Sequence, residues 1–306
     1  MIKRILEISS EPYHVSVHLD QLVLRPRDDG AESPRTVPCE DVGILVVDHL
    51  SVSYSHQALT RLLDFGAAIV LCGPNHLPTG LLLPLASHTE VVWRVDCQIA
   101  AKRPVKKRLW RQLVRAKIRH QAENLPVGTP ARERLLTLAA AVRSGDPENV
   151  EAQAARFYWE AWLGDRIFRR QPDGEDAING MLNYGYAVLR AAVARALVSA
   201  GLFPPLGIHH CNRGNAFCLA DDLLEPMRPW VDAVVAGCVG RGQVGVNRDT
   251  KSALLGLLHR TVRVGKQKGP LMVGLHRTCA SLVRCFTGEE AKLLVPRLMP
   301  EAGPCT

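Results

Sequence analysis

The sequence predicts an α+β protein in which a small N-terminal β-rich domain, residues 1–95, precedes a larger, basic, all-α domain, residues 96–306. Three observations predict it. Short apolar runs of strand length crowd the first 95 residues, and helical spacing takes over from about residue 100. The net charge also changes sign between the two parts, from −4 over residues 1–95 to +12 over residues 96–306.

In the first part, Val15, Val17 and Leu19 alternate with Ser16, His18 and Asp20, the period of a half-buried strand. Leu22–Leu24, Gly43–Val47 and Ala68–Cys72 are compact apolar runs of strand length. Between the last two, Leu59, Leu62 and Leu63 have helical spacing and Gly66 follows, which predicts one helix over Ser55–Asp64. The stretch from Pro74 to Pro84 breaks the pattern. The second part reads as helices over Leu135–Val142, from Asp146-Pro147 to Leu163, and over Ile178–Ala200 with Gly201 as the stop. Prolines 204, 205, 226 and 229 and glycines 237, 240, 242 and 245 divide the remainder into shorter pieces.

Composition narrows the class. At 306 residues with 47% hydrophobic and 22% charged residues, the chain is globular rather than disordered or fibrous. It has no run of roughly 20 apolar residues to span a bilayer, and Lys3, Arg4 and Glu7 interrupt any signal-peptide core at the start. Nine cysteines, at 39, 72, 97, 211, 218, 238, 279, 285 and 305, form no CxxC pair and read as thiols of a reducing cytoplasm.

Positions 102–119 hold nine Lys or Arg and no acid. Arg103, Lys107, Arg111, Arg115 and Arg119 recur every four residues, a slowly winding helical stripe, while Leu109, Trp110, Leu113 and Val114 can face a core. A second acid-free stretch, residues 250–288, carries seven further Lys or Arg. The two segments read either as a nucleic-acid surface or as solvated helix faces, and charge alone does not separate DNA from RNA.

The densest chemistry lies in residues 207–226. His209, His210, Asp221, Asp222 and Glu225 place two imidazoles and three carboxylates within 17 residues. Asp222 and Glu225 share a face if helical, so with a preceding His they offer a mixed nitrogen and oxygen site for Mg²⁺ or Mn²⁺. As helix caps the two aspartates need no metal, and Pro226 biases Glu225 away from helical geometry. Cys211 and Cys218 lack the spacing of a zinc site. Gly240-Arg241-Gly242-Gln243-Val244-Gly245 has the spacing of a dinucleotide fingerprint, but no acid falls between Asp249 and Glu289, where a ribose ligand belongs, so it reads as a turn. Taken alone, Glu151 is a solvated surface glutamate.

Glu151-x-x-Ala154, Asn179-Gly180-Met181-Leu182-Asn183-Tyr184-Gly185-Tyr186, Leu206-Gly207-Ile208-His209-His210 and Asp222-Leu223-Leu224-Glu225-Pro226-Met227-Arg228-Pro229 resemble, in this order, the CRISPR-associated protein 1 family, and most of all its type II branch. The resemblance implies the integrase of CRISPR adaptation, with residues 1–95 contributing to a homodimer. Two such dimers grip a dimer of CRISPR-associated protein 2, and the complex joins protospacer DNA to the CRISPR repeat by transesterification from a DNA 3′-hydroxyl. The family's metal-binding Glu falls on Glu151, its His on His210, and its acidic positions on Asp222 and Glu225, where other branches often carry Asp at the latter. His210 is preferred to His209 because the family places its ligand one residue further after Leu-Gly-Ile, and Asp222 to Asp221 for its three-residue separation from Glu225. Mg²⁺ or Mn²⁺ would sit on Glu151, His210 and Glu225, with Asp222 as a further ligand or behind them, and Arg103, Lys107, Arg111, Arg115 and Arg119 would hold phosphate backbones. A metal-dependent nuclease or resolvase that uses water as nucleophile, and a non-catalytic DNA-binding scaffold, are the competing readings.

Overall fold

A computed structural model describes residues 3–27, 33–85, 88–164, 168–171, 174 and 176–300, so Cys305 and the first two residues lie outside the described residues. The chain opens with β1 (Arg4–Ile8), β2 (Tyr13–His18), β3 (Gln21–Pro26), β4 (Arg35–Pro38), β5 (Val42–Val47), β6 (Ser53–Tyr54), α1 (His56–Asp64), β7 (Ala68–Cys72) and β8 (Pro78–Leu82). The strands form two four-stranded sheets, ordered β1-β5-β7-β8 and β4-β3-β2-β6. The alternation expected to run through Asp20 stops at His18. Leu19 and Asp20 have φ of 47° and 58° and form the two-residue turn that pairs His18 with Gln21, the geometry that a tight hairpin demands. The stretch that broke the pattern contains β8, paired antiparallel to β7.

β5 is buried along its whole length and β7 at four of its five residues, which explains runs apolar on both faces. Their alternation splits the two faces. Leu45, Val47 and Ile69 pack under the second sheet with Val15, Leu22 and Leu62, while Ile44, Val46, Ala68 and Val70 join the core of the helical part.

The rest comprises α2 (Val91–Ala100), α3 (Arg103–Glu123), α4 (Pro130–Ala141), α5 (Val150–Ala161), α6 (Ala177–Ser199), α7 (Cys218–Leu224), a 3-10 turn (Glu225–Met227), α8 (Arg228–Gly240), α9 (Arg248–Gly256), β9 (Thr261–Val264), β10 (Gln267–Pro270), α10 (Leu271–Thr287) and β11 (Arg297–Leu298). This part is not wholly helical. β10, β9 and β11 form a small antiparallel sheet, built where Val262 and Val264 alternate inward against exposed Thr261 and Arg263. α6 is the central helix, with 15 residues buried. At Gly185 a Cβ would stand 2.4 Å from Val231 Cγ1, so glycine is what lets α8 approach it. No described helix is long and apolar enough to cross a membrane.

Candidate metal and nucleic-acid site

α3, α5 and the 3-10 turn after α7 meet at a charged centre. Glu151 lies in the first turn of α5, which begins at Val150 rather than at Pro147. Asp146 still caps that helix from four residues upstream, accepting from the Val150 and Glu151 amides at 2.9 and 3.0 Å. The cap brings Glu151 to α3, where Lys117 Nζ donates to Glu151 Oε1 at 2.5 Å. The same ammonium stands 2.5 Å from Glu225 Oε2. Glu225 keeps helical backbone angles despite Pro226, and its Oε1 accepts from Arg228 Nε at 2.7 Å.

Burial opposes ionisation of Glu225, but the Arg228 and Lys117 cations outweigh it and hold the carboxyl down to about 2. Burial likewise pushes the Lys117 ammonium down, and Glu225 and Glu151 together raise it. Lys117 and Arg228 thus balance Glu151 and Glu225 in a centre of four formal charges and no net charge.

Asp222 and Glu225 do not act on one partner. Asp222, fully buried, accepts from the amides of Ile208, His209 and His210 at 2.5, 3.0 and 3.1 Å and from His210 Nδ1 at 2.7 Å. Both its oxygens are therefore engaged in shaping the 208–210 loop. Gly207 makes the turn possible, because a Cβ there would meet the His210 carbonyl at 2.2 Å. With Nδ1–H donated to Asp222, His210 presents Nε2 as a lone pair, the arrangement in which a carboxylate orients a metal-ligating imidazole. The hydrogen bond to Asp222 raises the His210 pKa against burial, and Glu225 is near enough to add to the rise.

The neighbouring candidates are occupied elsewhere. His209 stacks flat on Trp110, with ring centroids 4.1 Å apart and 2° between planes. Asp221 accepts from Arg190 Nε at 2.6 Å and Asn215 Nδ2 at 2.7 Å. Cys218 is buried and donates to backbone carbonyls, while Cys211 is exposed. The glycine-rich 240–245 segment is a turn after α8, with Gly242 and Gly245 at φ of 74° and 86°.

Among the described residues, no three His, Cys, Asp or Glu side chains stand within reach of a single ion. The donor set still fits a divalent cation. Two carboxylates already share one cation, and Glu225 Oε2 is buried and lacks a well-directed hydrogen bond even with the ammonium at 2.5 Å. Carboxylate oxygens with one imidazole suit Mg²⁺ or Mn²⁺.

The basic stripe divides as it winds around α3. Arg103 and Lys107, with Lys106, Trp110, His209 and Cys211, line a cleft of about 530 Å³ on the His210 side. Arg111 lies half-buried between the two ends. Arg115 and Arg119 face the other way and, with Arg263, Lys292, Arg297 and one acid, Glu123, line a cleft of about 680 Å³ against the small sheet. These five cations form no ion pair among the described residues.

The sequence reading missed Lys117, Arg228 and the groups behind Arg228. Tyr186, from the Asn179–Tyr186 motif, lies under the Arg228 guanidinium at 4.6 Å and donates its hydroxyl to Asp232, which also accepts from Tyr158. Asn179 and Asn183 of that motif accept from Arg170 at 2.7 and 2.6 Å. A signal for Lys117 was present: it follows Leu113 by four residues and Val114 by three, on the apolar face rather than the basic stripe.

The fold and this centre define a class: a β-rich layer joined to a helical body in which paired carboxylates share a buried lysine beside a carboxylate-held imidazole. Residues 6–263 match the family model of the CRISPR associated protein Cas1, and the chain belongs to that family. It is 36% identical over 270 residues to the CRISPR-associated endonuclease Cas1 of Neisseria meningitidis serogroup C (strain 8013), covering 87% of this chain and 88% of the relative. Its fold is similar to a casposase bound to integration product, with TM-score 0.77, 19% identity and coverage of 95% and 93% of the two chains. A Cas6-RT-Cas1--Cas2 complex contains a similar fold, with TM-score 0.76, 16% identity, 96% of this chain covered and 36% of that longer one.

Proposed function

We propose that the chain is a metal-dependent DNA integrase of CRISPR adaptation that joins protospacer DNA 3′-hydroxyl ends to the repeat by transesterification. The observation that carries the reading is the sharing of one cation by Glu151 and Glu225, with the Asp222-held imidazole of His210 near enough to Glu225 to feel its charge. The resemblance of the fold to a casposase bound to integration product, and to Cas1 within a complex with Cas2, supports it.

Mg²⁺ or Mn²⁺ held by Glu151, Glu225 and His210 Nε2 would polarise the scissile phosphate and offset its developing charge. The chain's own residues prepare that step. Asp222 holds the Nδ1 proton of His210, so that Nε2 is the nitrogen the neutral ring offers to an ion. Arg228 holds Glu225 ionised in a buried position, and Arg103 and Lys107 supply cations for a phosphate backbone beside Trp110. In the exchange the incoming 3′-oxygen forms a bond to phosphorus as the repeat's own phosphoester bond breaks, and no nucleotide is consumed.

Arg111, Arg115 and Arg119 would continue the phosphate track onto the opposite side of α3. Residues 1–95 would serve dimerisation and residues 96–306 chemistry and DNA binding. Two such dimers would assemble with a Cas2 dimer in the cytoplasm.

A nuclease that uses water as nucleophile is the second reading, favoured by the endonuclease name of the Neisseria relative. Incubation of the purified chain with Cas2, Mg²⁺ or Mn²⁺, labelled duplex ends and a repeat-bearing supercoiled plasmid separates the two. Joined product that disappears in Glu151→Ala and His210→Ala is the expected result. Cleavage without joining would favour the nuclease, and joining unaffected by either change would put the centre elsewhere.

A further inference from the structure

We infer that Lys117 is a resident cation that holds the position a divalent ion takes, so that metal loading of this chain is a displacement of the lysine rather than the filling of a waiting site. The inference rests on the proposed metal site and adds to it a residue that competes for the same oxygens.

Geometry carries it. Lys117 Nζ lies 2.5 Å from one oxygen of Glu151 and 2.5 Å from one oxygen of Glu225, two carboxylates delivered by different segments of the chain. Its side chain is only 12% exposed, so the ammonium has exchanged most of its water for these two partners. Glu225 has a second cation in Arg228, on its other oxygen, and that contact leaves Oε2 to Lys117 alone. The four charges cancel, and adding a divalent ion beside an unmoved ammonium would set like charges together in a poorly hydrated space. Lys117 must therefore leave both carboxylates when the ion enters. The cost of that departure is subtracted from the affinity of the site, as for any binding-competent state that is not the resting one. Arg228 is left where it is, because it uses an oxygen the ion does not need.

Manganese titration of the full chain by calorimetry, without DNA, tests this. Lys117→Met keeps the length of the side chain and removes its charge. It is expected to bind Mn²⁺ at least tenfold more tightly than the unmodified chain, and Lys117→Arg to bind no more tightly than the unmodified chain. Adding Glu151→Gln to Lys117→Met should abolish the gain, which ties it to this centre. Should Lys117→Met unfold without metal, Lys117→Gln under the same titration replaces it, with the Mn²⁺-induced rise in Tm as a second readout. Equal or weaker Mn²⁺ affinity on removing the charge, with saturable binding retained, overturns the role of Lys117 and leaves the metal site standing. No saturable binding in either folded protein overturns both.

Discussion

Two lysines in this molecule stand between acids, and they do opposite things. Lys117 is shared by Glu151 and Glu225, with side-chain exposures of 12%, 23% and 6%, and the half-exposed His210 lies to one side. Lys251, on α9, is bonded to Asp48 at the end of β5, with exposures of 5% and 0%, and faces Glu7 of β1 and the ring of Tyr184 on α6. The second pair ties the sheet to the helices and is closed to solvent, while the first keeps part of Glu151 and of the neighbouring His210 exposed. What separates the two is access and the neighbouring imidazole, since the side chains are the same. Burial without spare oxygens makes a brace. A shared cation with an imidazole nearby is the arrangement we infer to be exchangeable.

The largest expected effect breaks the brace. Lys251→Met leaves the buried Asp48 with the half-exposed His76 imidazole in place of its lysine and should cost about 3 kcal/mol in urea unfolding. Lys117→Met should cost on the order of 1 kcal/mol, because Arg228 still neutralises Glu225 and Glu151 keeps contact with water. Equal losses would erase the distinction. Next in size, Asp222→Asn removes the charge and turns one of the two acceptor oxygens that hold the 208–210 loop and His210 into a donor, and should weaken Mn²⁺ binding 10- to 100-fold. Asp48→Asn should leave that affinity unchanged in whatever fraction remains folded.

The junction should also be the part that feels acid. His276 on α10 accepts from Arg195 Nη1 at 3.1 Å, and Arg195 Nε donates to the Gly66 carbonyl beyond α1. Burial, with Arg195 and Lys3 nearby, pushes the His276 pKa from 6.5 down to about 4. Because the folded value lies below the unfolded one, its contribution is present above about pH 6.5 and is lost as the pH falls toward 4. The slope from this group is at most about 1.4 kcal/mol per pH unit. His276→Gln should flatten that limb in unfolding curves taken from pH 7 to 4, and an unchanged limb would assign it to other groups. Smallest of all, Arg115→Ala should lower the slope of log affinity against log salt for duplex DNA by about 0.9, one phosphate contact. No change in slope would take the second cleft out of the DNA path.

Much of this was legible from local pattern. The strands from Gly43 to Val47 and Ala68 to Cys72, α1 within Ser55–Asp64, and α6 closed by Gly201 follow from apolar spacing and turn chemistry. So did the buried face of α3 at Leu109, Trp110, Leu113 and Val114. β8 and the small C-terminal sheet were not, because short strands beside prolines and glycines are stabilised by partners distant in sequence. The start of α5 was misplaced by three residues for a related reason: Asp146 does cap the helix, but across a loop in which Asp146 and Asn149 take positive φ.

By itself the sequence determined the α+β class, the segregation of positive charge into the second part, and the clustering of carboxylates and imidazoles in residues 207–226. Each of these depends on residue type and on neighbours a few positions away. Only the tertiary structure decided how those side chains are used. It put His209 on Trp110 and left His210 to Asp222, turned Asp222 inward to the backbone, and brought Lys117 across to Glu151 and Glu225 from a run that reads as surface charge. Hydrogen bonds and charges are satisfied in three dimensions, between groups 12 to 108 residues apart, and no local periodicity encodes which donor reaches which acceptor first.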